Sequence, residues 1–176
     1  MRFIPTTLKD AHIIELEPAR DDRGFFARTL CVDAFAERGL EIQYPQHSIS
    51  YSARRGTLRG LHFQREPHSE AKLIRCTRGA ILDVIVDIRR NSPSFRRWQK
   101  FELSSTNCRE LYVPKGFAHG FQTLCDEVEV SYLISTRYAP GFAGGIRYDD
   151  PALGIEWPLP VTEISERDLR WPSFSE

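Results

Sequence analysis

Apolar and polar residues alternate with a period of two along most of the chain, the spacing that sends successive side chains to opposite faces of a strand. His12-Ile13-Ile14-Glu15-Leu16-Glu17, Ser48-Ile49-Ser50-Tyr51 and Thr57 to Phe63 all carry it. So do the runs Lys72 to Cys76 and Ala80 to Ile88. Between these two stands Thr77-Arg78-Gly79, a turn signal that predicts a hairpin. Further strands are expected over Trp98 to Leu103, Glu110 to Val113, Gly120 to Leu124 and Val128 to Ser135. One helix is predicted from Val32 to Arg38, ending at Gly39 where a left-handed cap fits. A second helical turn is possible around Ser165-Glu166-Arg167-Asp168.

Many short strands punctuated by Gly and Pro indicate an all-β sandwich or barrel with a few short helices. No repeat, low-complexity tract or linker divides the chain, so residues 1–176 read as one domain. The Pro-rich tail after Pro158 is expected to pack back on the strands through Trp157, Leu169 and Trp171.

Composition narrows the partners. Lys plus Arg and Asp plus Glu each number 24, a neutral balance that argues against nucleic acid or an anionic membrane as a partner. The basic residues are mostly Arg, which suits bidentate binding of phosphate in a local pocket. Cys31, Cys76, Cys108 and Cys125 stand far apart, with no Cys-x-x-Cys spacing for zinc or redox work. Reduced thiols, an opening segment without a signal peptide's apolar run and no membrane-length window point to a cytoplasmic protein.

Candidate chemistry gathers in two segments. In strict alternation Leu58, Gly60 and His62 share one strand face and Thr57, Arg59, Leu61 and Phe63 the other. A histidine facing the interior beside Gly60, whose missing side chain leaves room for a ligand, is a candidate base. Taken alone, such a histidine is more often a structural residue bonded to backbone. The second segment, Pro114-Lys115-Gly116-Phe117-Ala118-His119, resembles the second half of the cupin signature, in which a turn delivers a histidine into a jelly roll. A metal-binding cupin brings a His-x-His pair from its first half. Here that pair reads His62-Phe63-Gln64, and three ligands are hard to assemble. The site is therefore read as free of metal. Lys72 is a candidate partner for an enolate oxygen or else an exposed edge lysine. Tyr132 and Tyr138 read individually as packed aromatics.

Together the motifs carry a family likeness. Arg23-Gly24-Phe25-Phe26, Leu58 to Gln64, Ala71-Lys72-Leu73, Arg78-Gly79-Ala80, Pro114 to Phe121, Tyr138-Ala139-Pro140 and Asp149-Asp150-Pro151 occur in this order. Gly154 to Pro158 and Ser165 to Asp168 complete the set. The chain resembles the dTDP-4-dehydrorhamnose 3,5-epimerases over nearly its whole length. That resemblance implies a cupin-type jelly-roll β-sandwich, a homodimer, a nucleotide-sugar substrate and no cofactor. By motif, the family's catalytic histidine falls on His62, its carboxylate partner on Asp168, its lysine on Lys72 and its tyrosine on Tyr132. Substrate-binding positions fall on Arg23, Gln46, Arg59, His119 and Tyr138.

The implied mechanism is proton removal beside a ketone. His62 takes the proton, Asp168 fixes its tautomer, Lys72 stabilises the enolate and Tyr132 returns a proton from the opposite face. Four departures fall at binding positions. Arg28 stands where the family usually has Glu, His47-Ser48 replaces Asp-Asn, Ala143 replaces Glu, and Arg167 replaces Lys. Replacing Glu by Arg reverses a charge, so Arg28 and Arg167 are candidate determinants of which sugar nucleotide is read. A single-centre epimerase on another 4-keto sugar, a metal-dependent cupin enzyme and a non-catalytic sugar-nucleotide binder are the competing readings.

Overall fold

The computed structural model describes residues 1–174. β1 (Arg2–Pro5) and β2 (His12–Glu15) open the chain, followed by β3 (Ala19–Asp21), β4 (Gly24–Phe26) and the helix α1 (Val32–Ala36). β5 (Gln46–Ser52), β6 (Leu58–Gln64), β7 (Lys72–Arg78) and β8 (Ala80–Asp87) come next. Then follow β9 (Trp98–Ser104), β10 (Arg109–Val113), β11 (Phe117–Thr123) and β12 (Val128–Ile134). A short β13 (Ala143–Gly145) and the one-turn helix α2 (Glu166–Leu169) finish the set.

These strands form a jelly-roll sandwich of two antiparallel sheets. One has six strands in the order β1-β2-β10-β7-β12-β5 and the other five in the order β13-β6-β11-β8-β9. β3 and β4 pair separately. Each strand expected from the alternation forms, with its ends displaced by a few residues. The first helix is shorter than expected and continues as turns through Gly39, where the Leu40 N–H donates to the Phe35 carbonyl.

Thr77-Arg78-Gly79 does not close a hairpin. β7 and β8 belong to different sheets, and the chain turns a corner between the layers at Gly79. Gly79 sits at φ +77°, and a Cβ there would lie 2.8 Å from the Cys125 sulfur. A hairpin and a corner both demand a tight turn, so the local pattern is the same. The difference lies in which strands supply the hydrogen bonds. β7 pairs with β10 and β12, and β8 with β9 and β11.

The main core fills the space between the sheets. Ile74 and Cys76 of β7 and Val128 and Val130 of β12 meet Ile81 and Ile85 of β8 and Phe121 of β11. Val84 and Val86, the alternate residues of β8, face outward into a second cluster with Leu61, Ala118, Ile146 and Leu153. β8 is thus buried on both faces, which explains its nearly continuous apolar run. A third cluster lies outside the six-stranded sheet, where Phe35 of α1 covers Ile14, Leu73 and Tyr112. Full burial of a side chain such as Phe35 contributes roughly 1.5–3 kcal/mol.

The tail packs back as expected at Trp157, which joins the outer cluster and donates to the Tyr148 carbonyl. Leu169 does not, because α2 turns Asp168 inward and leaves Leu169 44% exposed. No helix among the described residues is long and apolar enough to cross a membrane.

Candidate active site

Between the sheets a cavity of about 1010 Å³ opens to solvent. Arg59 and His62 of β6 and His119 of β11 line it from the five-stranded sheet. Lys72 of β7 and Tyr132 of β12 line it from the six-stranded sheet. Histidine and tyrosine therefore stand on opposite walls.

A bulge in β6 makes this arrangement. His119 stands opposite His62 and Phe121 opposite Arg59, so two steps along β11 span three along β6. The extra residue breaks the alternation, and Arg59 and His62 both reach the cavity while Leu61 turns to the outer cluster. Leu58 and His62 both line the cavity, but Arg59, expected on the opposite face, joins them and Gly60 does not. Nor does Gly60 open space for a ligand. It adopts φ +128°, and a Cβ built there would lie 2.5 Å from the Gly120 α-carbon and 2.9 Å from the His119 carbonyl. Its role is the close approach of two strands at the bulge.

Asp168, delivered by α2 with Ser165 as its N-cap, reaches His62 from 106 residues away in sequence. His62 Nε2 lies 2.6 Å from Asp168 Oδ1, and the Gly60 N–H donates to Oδ2 at 3.1 Å. Burial works to raise the Asp168 carboxyl. The hydrogen bond and charge of His62, with the donors Gly60 and Trp171, outweigh burial and hold it below the usual carboxylate range. An ionised Asp168 accepts, so the proton between them sits on Nε2 and leaves Nδ1 with a free lone pair.

His119 forms a second such pair, with Nε2 2.9 Å from Asp83 Oδ2. Burial pushes its imidazole below the ordinary value, against the opposing charge and hydrogen bond of Asp83. Burial also raises the Tyr132 phenol, with Asp83 adding to the effect and the Ser50 hydroxyl at 3.2 Å opposing it. Tyr132 is thereby kept protonated. Lys72 is buried rather than an exposed edge residue, and its ammonium pairs with Glu70 at 3.0 Å. Gln64 holds Glu70 in turn, donating to it at 2.8 Å while accepting from the Ala139 N–H at 2.7 Å.

Gln46, Tyr138 and Arg167 also line the cavity. Gln46 Oε1 accepts from the Tyr138 N–H at 2.5 Å, and Tyr138 is half exposed. Arg59 is tied across to β5 through Ser52 Oγ and the Tyr51 carbonyl. Of the four departures, Ser48, Ala143 and Arg167 line the cavity, whereas His47 does not. Arg23 and Arg28 are not brought to it. Arg23 pairs with Asp21 on the exposed β3–β4 hairpin, and Arg28 is exposed, 3.9 Å from the Cys31 sulfur.

Asp83 and Ser50 are given no role by the sequence, and Gln64 is read there only as the residue standing in place of a second metal-binding histidine. Asp83 carried the best signal, a carboxylate inside the apolar run Ile81 to Val86, where an unpaired charge is costly. Among the described residues no three His, Cys, Asp or Glu side chains gather as a metal would require. His62 and His119 instead face separate carboxylates.

A family model described as dTDP-4-dehydrorhamnose 3,5-epimerase matches residues 5–176. The chain belongs to that family. An epimerase of this description from Methanothermobacter thermautotrophicus is 47% identical, covering 99% of this chain and 95% of the relative. The crystal structure of the Bacillus anthracis dTDP-4-dehydrorhamnose 3,5-epimerase, with TDP and PPi bound, superposes with a TM-score of 0.95. It is 40% identical and covers 98% of this chain and 99% of that one. The Legionella pneumophila dTDP-6-deoxy-D-glucose-3,5-epimerase, in complex with dTDP-4-keto-L-rhamnose, gives a TM-score of 0.92. It is 36% identical, covering 98% of this chain and 92% of that one. Members of the dTDP-4-dehydrorhamnose 3,5-epimerase family are isomerases, and their fold is the cupin-type sandwich described above.

Proposed function

We propose that this epimerase inverts C3 and C5 of a dTDP-linked 4-keto-6-deoxyhexose. The observation that carries the reading is the His62–Asp168 pair on one wall of the cavity, with Lys72 and protonated Tyr132 on the other. The ketone acidifies the neighbouring C–H bonds. His62 Nδ1 takes the proton, and the C–H electron pair moves into an enolate on the ketone oxygen. Lys72 stabilises that oxygen more strongly as charge develops than in the neutral ketone. Asp168 stabilises the imidazolium formed on His62. The enolate then collapses, its carbon takes the phenol proton of Tyr132 from the opposite side, and the centre is inverted. Solvent then takes the proton from the His62 imidazolium and returns one to the Tyr132 phenolate, so protons balance over the cycle and no electron is gained or lost.

His119, Arg59 and Gln46 would hold the sugar and diphosphate, and Tyr138 would stack on the base at the mouth. Arg167 would add charge for the nucleotide. Arg23 and Arg28 stay candidates for substrate contact only if a second copy brings them near. A homodimer is the assembly we propose, because Phe25 and Phe26 of β4 and Ile49 and Tyr51 of the edge strand β5 are exposed. A cytoplasmic setting agrees with four free cysteines.

The test is incubation with dTDP-4-keto-6-deoxyglucose in deuterated water, read by NMR. Deuterium at C3 and C5 with inverted product is expected. Label at one carbon alone would make this a single-centre enzyme. No label at either would remove the substrate assignment.

A further inference from the structure

Asp168 has a third partner outside this mechanism. The Trp171 indole N–H donates to Oδ1 at 3.2 Å, the same oxygen that His62 occupies. The indole also stands edge-on to the His62 imidazole, with ring centroids 6.3 Å apart and planes at 68°. Its place is built into the fold. Gly145 of β13 is the register partner of His62, and a Cβ on Gly145 would fall 2.2–2.5 Å from the Cε2, Cδ2 and Nε1 atoms of the indole. The ring therefore lies on bare backbone beside the histidine. Arg167 covers it, with its guanidinium carbon 5.1 Å from the indole ring. The following segment is held by the Arg147 N–H, which donates to the Pro172 carbonyl at 3.1 Å.

We propose that Trp171 is a positioning residue for the base, fixing the plane of the Asp168 carboxylate and walling the His62 ring. The terminal torsion of a carboxylate side chain is broad and is set by its hydrogen bonds. Here Oδ1 receives two donors and Oδ2 one. Without the indole, each oxygen keeps a single donor and the imidazole loses one of its walls. Trp171 is not among the residues that line the cavity, so its effect should fall on turnover rather than on binding. This inference rests on His62 being the base.

Two full-length variants test it. Trp171→Phe removes the N–H and reshapes the wall. Replacing Trp171 with 3-benzothienylalanine exchanges the N–H for sulfur and keeps the shape. Outer partners that orient metal-bound histidines contribute about 10- to 100-fold in activity, and by analogy a fall in kcat of that order with KM unchanged is expected for both. The His62 Nε2–H resonance, assigned by its loss in His62→Asn, should be sharp and downfield in wild type without substrate. It should broaden in both variants as the pair loosens.

Wild-type kcat with an unaltered resonance in the benzothienyl protein would overturn the proposal, whether or not the Phe variant folds. So would a loss confined to KM. An inactive wild type would count against the proposed reaction alone, since the resonance reads the Trp171 effect without turnover.

Discussion

Nε2 of His62 and Oδ1 of Asp168 meet at 2.6 Å, a contact between the bulged strand β6 and a one-turn helix near the end of the chain. With Nε2 committed to the carboxylate, Nδ1 is the atom free to accept a proton. His62→Ala should reduce exchange of solvent deuterium into the sugar by about 10²- to 10⁴-fold, the usual contribution of a general base. Circular dichroism should be unchanged. Exchange at the wild-type rate would sink the assignment. Asp168→Asn should lose turnover as well, because an amide cannot stabilise the imidazolium and can present an N–H where the tautomer needs an acceptor.

Tyr132 separates proton removal from inversion. Burial keeps its phenol protonated, and it stands across the sandwich from His62. Tyr132→Phe should allow His62 to exchange protons on its own side while denying the opposite face a donor. The expected product carries deuterium with retained configuration, read by coupling constants in the proton spectrum. Inverted product at the wild-type rate would assign the second proton to another group.

Glu110 makes stability depend on pH. Its carboxyl is pushed up to about 8 by burial, which the charge of Arg75 at 4.0 Å only partly offsets. One of its oxygens has no hydrogen-bond partner. Between the ordinary carboxylate value and about 8, the folded protein holds a proton that the unfolded chain has released. Stability must therefore fall as pH rises through that window and level off above it. Glu110→Gln removes the slope. The variant should unfold at a higher temperature than wild type at pH 8 and show little difference at pH 5, by calorimetry. Equal differences at the two pH values would refute the linkage.

Gly60 is the residue on which the bulge turns. An alanine there would meet the Gly120 backbone at 2.5 Å and be forced to hold φ +128°. Strain of this kind costs about 1–3 kcal/mol before any clash is counted, so Gly60→Ala should lower the unfolding midpoint and displace His62 together. A variant with wild-type stability and wild-type turnover would show that the strands can part without cost.

Much of this was legible from residue order, and the failures share one cause. Period two marked most of the strands because they bury one face, though β5 turns its apolar Ile49 and Tyr51 outward and β3 and β4 are exposed throughout. Phe35 and Gly39 marked the first helix. The corner at Gly79 was invisible because local pattern specifies a turn and not the partner strand. The bulge at Gly60 was hidden for the same reason, since two neighbouring strands define the register and only one was being read. His62 and Asp168 could be joined through the family likeness alone. Asp83 and Glu70 belong to no quoted motif, and their importance emerges only when β8 brings Asp83 beside His119 and the segment leading into β7 brings Glu70 beside Lys72.

Strand order has a consequence for how the molecule is made. In the two large sheets only β1–β2 and β8–β9 join strands that are neighbours along the chain. β5 must wait for β12, and β6 for β11. Such non-local pairing slows folding, because long loops close before contacts reward them. During synthesis β5, β6 and β7 leave the ribosome with bare hydrogen-bonding edges and alternating apolar faces, the features that invite misassociation. The nascent chain, more than the finished molecule, is where this architecture is vulnerable, and slowed expression or chaperone supply should raise the soluble yield.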